Sequence, residues 1–534
     1  MIVPEESPAP VASGGRGAWL AAMLAPLLSV FVVRPWVPHP FPVWDYAEML
    51  PLLRSSRGFA EAFTALASFY RAEGRANYLT YAQIAATWLI AGEHPVVWQL
   101  QRALFMLLAA ILFVWVARRL GATPLAAGLG AALFSVAVPS TEGWLLLMGE
   151  PLAVILLLLL VGLSAGYRTS SDWPRRALLI ALLSLGVMMT KEVLGLCLPV
   201  IVLFAVSWTR EQGFARPTFG SRERRLAALL LLVLIIEFGS FWSAWKSASP
   251  ESYANAYGAA GFELSRVGTL FQAMLFPARF TSSSVATLLY PANAAFLLLL
   301  ILGCARPAVG GRRAPGAGWL ALGLLSFPLL GAFAYALWPR YSAFYGIPFF
   351  AASAGLMVLA LGGVERGQRS VGRWLAGGLG VIAVAFAAIV CSRVVQEKNV
   401  LAEIAHEVVI SFPRESKLDT LFMVVPTRGG RRWPVNAREL SHYAAAVNVP
   451  ASAIPIVVDA SCEDVGRRLG APLGRSAILN DQNACGRLPA HTRRFGREVR
   501  YLDWLSGRTI TDSVQVELLA PAWAKAAPPS LRIP

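Results

Sequence analysis

The sequence predicts an all-α polytopic membrane protein of about eleven transmembrane helices, followed by a small extracytoplasmic α/β domain. Three observations carry this expectation. The 534 residues are 56% hydrophobic and only 15% charged, with a mean hydropathy of +0.56, whereas soluble domains carry about a quarter charged residues. Apolar runs recur at about the 20 residues a helix needs to cross some 30 Å of hydrocarbon. No alternating barrel-type segments are seen, and in lipid only helices and closed barrels satisfy their own backbone. Beyond about residue 395 the pattern changes to short strands and polar turns.

The first 17 residues, MIVPEESPAPVASGGRG, are polar, with acids and prolines. They lack the basic start of a cleavable signal peptide. The first span therefore reads as an uncleaved anchor, and residues 1–17 as a cytoplasmic segment. Spans are expected at roughly 18–36, 95–117, 122–138, 144–166, 177–190, 194–208, 226–244, 286–304, 317–337, 343–362 and 374–392. With a cytoplasmic N-terminus, the inner loops hold 16 arginines: 118, 119, 168, 175, 176, 210, 216, 222, 224, 225, 306, 312, 313, 366, 369 and 373. The short outer loops hold two cations, Lys191 and Arg340. This asymmetry is the positive-inside pattern. It accounts for most of the net charge of +16 with no nucleic-acid partner.

Two outer loops are long, at about 37–94 and 245–285. The first holds WDYAEMLPLLRSS, GFAEAFTALASFYRAEG and NYLTYAQIAATWLIAG; the second holds GFELSRVGTLFQAMLFPARF. Their apolar faces and aromatic anchors predict helices lying at the bilayer surface. Spans and loops make a membrane domain over 18–393. In the tail, 394–534, TLFMVVPT, AIPIVVDA, SAILN and SVQVELL read as strands and NARELSHYAAAV as a helix. Cys197, Cys304 and Cys391 lie in apolar spans as small packing residues. Cys462 and Cys485 lie in the polar tail, free to pair if it faces an oxidising compartment. The five histidines show no metal-ligand spacing.

The charged residues at the outer face are the candidates for chemistry. Asp45 and Glu48 are three apart and share a face of a short helix set between Pro42 and Pro51. Asp45 either caps that helix or takes a proton from an attacking hydroxyl. In VPSTEGWLLLMGEP, Glu142 lies at an outer turn and Glu150 about two turns further in. Glu142 is a solvated turn residue or a second catalytic acid. An acid inside hydrocarbon is costly and functional or paired. In MMTKEVLGLCLP, Lys191 and Glu192 interrupt an apolar run. Lys191 either snorkels to the interface or neutralises a lipid phosphate, with Glu192 in support. In ALWPRYSAFYGIPFF, Arg340 and Tyr341 form either an aromatic belt or a phosphate fork. The arginine-derived topology places Asp45, Glu142, Lys191, Glu192, Arg340 and Tyr341 on one side of the membrane.

On these motifs, roughly the first 390 residues resemble the GT-C superfamily of integral-membrane glycosyltransferases, which use polyprenyl-phosphate-linked sugars. Protein O-mannosyltransferases and aminoarabinose transferases belong to it. WDYAEM resembles the first-loop acidic motif, whose aspartate is the catalytic base. GRANYLTYAQIAATWLIAGEHPVVWQLQRALFML is similar to the stretch leading into the second span. VPSTEGW, TKEVLGLCLP and WPRYSAFYGIP resemble the second-loop acid, the Lys-Glu turn and the late Arg-Tyr turn. Glu48 departs from the adjacent Asp-Asp or Asp-Glu of the first loop. No Asp-x-Asp motif is present, so no cofactor is expected, although some superfamily members use a divalent ion.

The resemblance implies a sugar arriving on a polyprenyl phosphate at the outer face of a bacterial cytoplasmic membrane. Lys191, Arg340 and Tyr341 would hold the phosphate, with Arg266 and Arg279 as weaker candidates. Asp45 would activate a hydroxyl of an unknown acceptor, whether protein, glycolipid or polysaccharide. A transporter of a lipid-linked saccharide and a non-catalytic envelope-assembly protein are the competing expectations. Transporters, however, favour inverted repeats and midplane charges.

Overall fold

The structure is a computed structural model. It describes residues 23–24, 27, 43–141, 149–209, 213–214, 219–249, 264–278, 290–305, 317–336, 343–367, 370–410, 420–424, 456–469, 476–481, 485, 493–502 and 509–519. The chain divides into two compact units. One comprises Met1–Trp36, Phe63–Gly92 and Val97–Ser392; the other comprises Val37–Ala62, Glu93–Val96 and Arg393–Pro534.

The helices are, in order, α1 (Val43–Arg54), α2 (Phe59–Ala72), α3 (Tyr78–Ala91), α4 (Pro95–Arg119), α5 (Pro124–Val136), α6 (Glu150–Ser164), α7 (Trp173–Thr190) and α8 (Leu198–Ser207). A small hairpin, β1 (Trp208–Thr209) and β2 (Gly213–Phe214), separates α8 from α9 (Ser221–Lys246). Then come α10 (Leu264–Leu275), α11 (Pro291–Ala305), α12 (Ala317–Tyr335), α13 (Ile347–Gly367) and α14 (Ser370–Ile410).

The expectation of about eleven spans is not met. Among the described residues four helical stretches are long and apolar enough to cross a membrane: Pro95–Arg119, Trp173–Thr190, Ser221–Lys246 and Trp374–Val395. Six further apolar stretches are 10–17 residues long: Pro124–Val136, Glu150–Ser164, Glu192–Ser207, Pro291–Gly303, Leu320–Tyr335 and Ile347–Gly362. The apolar runs were counted whole, but the backbone breaks within them. The run at 194–208 opens as a 3-10 turn, Glu192–Cys197, before α8 begins. Within the run at 144–166 the described helix is Glu150–Ser164. The 13 residues of α5 reach only about 20 Å at 1.5 Å per residue. The expected first span, 18–36, lies outside the described residues except at 23, 24 and 27. Four such helices with apolar outer faces make this an integral membrane protein. On α9, for example, Leu231, Ile235, Phe238 and Trp242 are exposed.

Small residues let the helices of the first unit approach closely. A Cβ on Gly303 of α11 would stand 2.9 Å from the Ala360 Cα of α13. The arginines at one end of the unit are spent on structure. Arg119 and Arg176 donate to the carbonyls of Ala165 and Gly166, just past the C-terminus of α6. Arg222 and Arg225 lie over the Trp173 ring at 5.9 and 5.3 Å. The contacts of Arg119 and Arg176 suit cations at a helix C-terminus. Glu150 starts α6 and Thr190 ends α7, so both lie at the opposite ends of these helices.

The two amphipathic stretches of the first long loop form α1 and α2, and that of the second forms α10. Pro51 lies inside α1 rather than closing it. Asn293 pins the chain just past α10, since its Oδ1 accepts from the Ala278 N–H and its Nδ2 donates to the Ala278 carbonyl.

In the second unit a five-stranded sheet has the order β4-β3-β5-β7-β6. The strands are β3 (Thr420–Val424), β4 (Ile456–Asp459), β5 (Ser476–Asp481), β6 (Arg493–Leu502) and β7 (Thr509–Leu519). The first three are parallel and the last two antiparallel to their neighbours. The four strands expected from sequence are present. β6, RRFGREVRYL, was not anticipated, because its arginines hide the alternation. Helix α15 (Cys462–Leu469) follows β4 and packs Val465 on Val424 and Ile478. Cys462 and Cys485 are joined by a disulfide. The expected helix NARELSHYAAAV lies outside the described residues.

Candidate functional site

Helix α2 ends in a turn that delivers Arg75. Gly74 takes φ +80°, its N–H bonds to the Arg71 carbonyl, and the Arg75 N–H bonds to the Tyr70 carbonyl. This is a Schellman ending, for which glycine is suited because it carries no Cβ. Asn77 follows at the N-cap of α3, yet its side chain makes no capping bond. Its backbone N–H donates instead to the Tyr81 phenol at 3.2 Å. Tyr81 stacks on Tyr70 with centroids 5.0 Å apart.

Helix α3 is tied to the end of α7. The Thr80 hydroxyl donates to the Thr190 carbonyl at 3.0 Å. Helix α6 starts against the same threonine, since a Cβ on Gly149 would fall 2.0 Å from Thr80 Oγ1. Next to Gly149, Glu150 sits in the first turn of α6, where an acid suits the helix dipole. Lys191 ends α7 in an extended conformation, and the 3-10 turn beginning at Glu192 follows.

These pieces bring Lys191 Nζ to 2.8 Å from Glu150 Oε1, with side chains only 12% and 2% exposed. The ammonium also stands 4.5 Å from the centre of the Tyr345 ring, and Tyr345 stacks on Tyr335. Burial pulls the Lys191 pKa down, but the Glu150 carboxylate, with Tyr345 and Glu192, outweighs burial and the opposing charge of Arg75. The ammonium is thus held above the ordinary lysine value. Burial likewise pushes the Tyr81 phenol above its usual range, against the Asn77 N–H that it accepts.

A polar cleft lies beside this pair. Arg75, Asn77, Tyr81, Glu150 and Lys191 line it, and it is partly open to solvent. Two cations and one carboxylate in a half-closed cleft suit an anion whose neighbours must also be recognised. Among the described residues no three His, Cys, Asp or Glu side chains are grouped for a metal ion.

Of the residues singled out from sequence, Lys191 and Glu150 meet directly and Glu192 adjoins them. Asp45 and Glu48 lie on α1 in the other compact unit, and their side chains lie outside the described residues. Asp45 is the third residue of α1, inside its first turn rather than at its cap. Arg266 lies on α10. Glu142, Arg279, Arg340 and Tyr341 lie outside the described residues. Sequence reasoning missed Arg75 and Asn77. The available signal was GRANYLTY, a glycine-terminated helix end running straight into a new helix.

No protein-family model matches the sequence, and no curated protein matches it. Among solved structures the chain is similar to ArnT from Cupriavidus metallidurans bound to undecaprenyl phosphate. The TM-score is 0.47 at 13% identity, covering 94% of this chain and 98% of that one. It is also similar to the oligosaccharyltransferase AglB from Archaeoglobus fulgidus in complex with an inhibitory peptide and a dolichol-phosphate. There the TM-score is 0.48 at 12% identity, over 93% of this chain and 74% of that one.

Proposed function

We propose that this protein is a membrane glycosyltransferase. It moves a sugar from a polyprenyl-phosphate donor to an acceptor hydroxyl at the outer face of a bacterial cytoplasmic membrane, with the C-terminal residues on that outer side. The observation that carries this reading is the buried Lys191–Glu150 pair opening, together with Arg75, onto a polar cleft. It lies at the ends of α6 and α7 remote from the structural arginines. Lysine has three donors. The ammonium pairs with the Glu150 carboxylate and faces the Tyr345 ring, and its hydrogen-bonding capacity is available toward the cleft.

In this reaction the acceptor oxygen attacks the anomeric carbon as the bond from that carbon to the phosphate oxygen breaks. The bonding pair leaves on the phosphate, and the acceptor's proton passes to a carboxylate. Lys191 and Arg75 hold the growing phosphate charge, with Arg340 and Tyr341 as further ligands and Arg266 and Arg279 as lesser ones. Fixed cations of this kind supply much of a transferase's rate. The base is Asp45, the residue the motif resemblance gives that role, supported by Glu48 and Glu142. The acceptor attacks the face opposite the phosphate, so the anomeric configuration inverts.

The test is sugar transfer in membrane vesicles given a panel of labelled polyprenyl-phosphate sugars. One donor is expected to be consumed, and Asp45→Asn should lower its transfer by about 100-fold or more while inserting normally. Label that crosses the bilayer without being transferred would make the protein a lipid-linked saccharide transporter. Equal rates in the mutant would leave Asp45 as an acid in the first turn of a helix.

A further inference from the structure

Two acceptor atoms in the cleft have nothing to accept. Glu150 Oε2 and Asn77 Oδ1 are buried without a hydrogen-bond partner among the described residues. Their side chains belong to residues only 2% and 6% exposed, and both line the cleft beside Lys191. A buried acceptor left empty costs about 1–3 kcal/mol, so each such atom calls for an explanation.

Among the described residues neither atom finds a donor within the fold. Asn77 stands at the N-cap of α3, where its side chain would ordinarily accept from the helix backbone, and it does not. Glu150 gives one oxygen to Lys191 and leaves the other over. Neither leftover atom suits a phosphate, since acceptors and anions repel. Both require a donor. The enclosed space of the cleft has room for a group about the size of one water or one hydroxyl.

We infer that Asn77 and Glu150 form a specificity subsite that accepts hydrogen bonds from one hydroxyl of the donor sugar, next to the cations that hold its phosphate. This rests on the glycosyltransferase reading above. It divides the cleft by polarity: Lys191 and Arg75 donate to the phosphate, while Asn77 and Glu150 accept from the sugar. A site built to bond a hydroxyl rejects an analogue lacking it, because its buried atoms are then stranded. Glu150 therefore has two roles, orienting Lys191 through one oxygen and reading the sugar through the other.

The experiment measures kcat/KM for the transferred polyprenyl-phosphate sugar and for each of its monodeoxy analogues. Wild type should reject one analogue by at least about 10-fold. Asn77→Ala should lower the parent donor toward the level of that analogue and leave the analogue itself unchanged, so that discrimination collapses at that one position. Asn77→Asp, which keeps an acceptor of the same reach, should preserve it. The inference is overturned if wild type accepts every monodeoxy donor within about twofold of the parent, or if Asn77→Ala and Glu150→Gln both leave discrimination intact. In either case a bound water fills the subsite and the glycosyltransferase reading still stands. Absence of transfer from any donor is the separate result that removes that reading and the subsite with it.

Discussion

Lys191 and Glu150 are an ion pair of the kind whose worth shows only when one partner is lost. With both side chains nearly out of solvent, the desolvation cost offsets most of the Coulomb gain, and replacing both by apolar groups is often close to neutral. Removing one partner is different, because it leaves a buried charge with no compensation, at about 3–5 kcal/mol. Glu150→Ala is therefore expected to destabilise the protein more than the double variant Glu150→Ala/Lys191→Met does. Thermal unfolding of the four members of this cycle in detergent would show it. Losses that simply add would mean the two groups are not coupled, contrary to their 2.8 Å separation.

Helix contacts decide how much of this was visible in the sequence. Lys191 and Glu150 stood out because charge inside an apolar run is a strong contrast. Arg75 and Asn77 had no such contrast, since they lie in a polar stretch and become site residues only when α3 docks on the end of α7. The membrane class followed from composition, and four of the five sheet strands from their sequence pattern. Helix lengths did not follow, because hydropathy does not record where the backbone turns, as at Lys191 with φ −158° and ψ 107°. The contact of α6 with α3 is similarly set by an absent side chain. Gly149→Ala would put a Cβ 2.0 Å from Thr80 Oγ1, and the β-branched threonine has little freedom to yield. A loss of about 1–3 kcal/mol is expected, with sugar transfer falling as the bond from Thr80 to Thr190 is disturbed. Gly268 on α10 is the contrasting case, with open space where its Cβ would lie. There Gly268→Ala should raise stability by up to about 1 kcal/mol through helix propensity alone. Opposite shifts in the melting temperatures of the two variants would confirm that the close approach, and not the glycine as such, is what α6 needs.

At the level of the molecule, the arginine bias of the short loops and the Cys462–Cys485 bond make a joint prediction about the second unit. In the proposed outer-face topology the tail lies outside the cytoplasm. A disulfide persists in an oxidising compartment and is rare in a reducing one. The bond closes a loop of sequence separation 23, and loop-closure entropy of that length is worth about 3 kcal/mol. It also ties the start of α15 to Cys485, beside the small core of Val424, Val465 and Ile478. A core this small gains much from a crosslink. Cys462→Ser/Cys485→Ser should therefore open the tail to proteolysis at lower temperature, while the membrane helices, which the bond does not touch, keep their own transition. In intact cells an impermeant maleimide should label the tail only after reduction, and should then add two labels. Labelling without reductant would mean that the bond does not form in the cell. No labelling even after reduction would place the tail on the cytoplasmic side, and with it would fall the outer-face assignment on which the donor's approach to Lys191 depends.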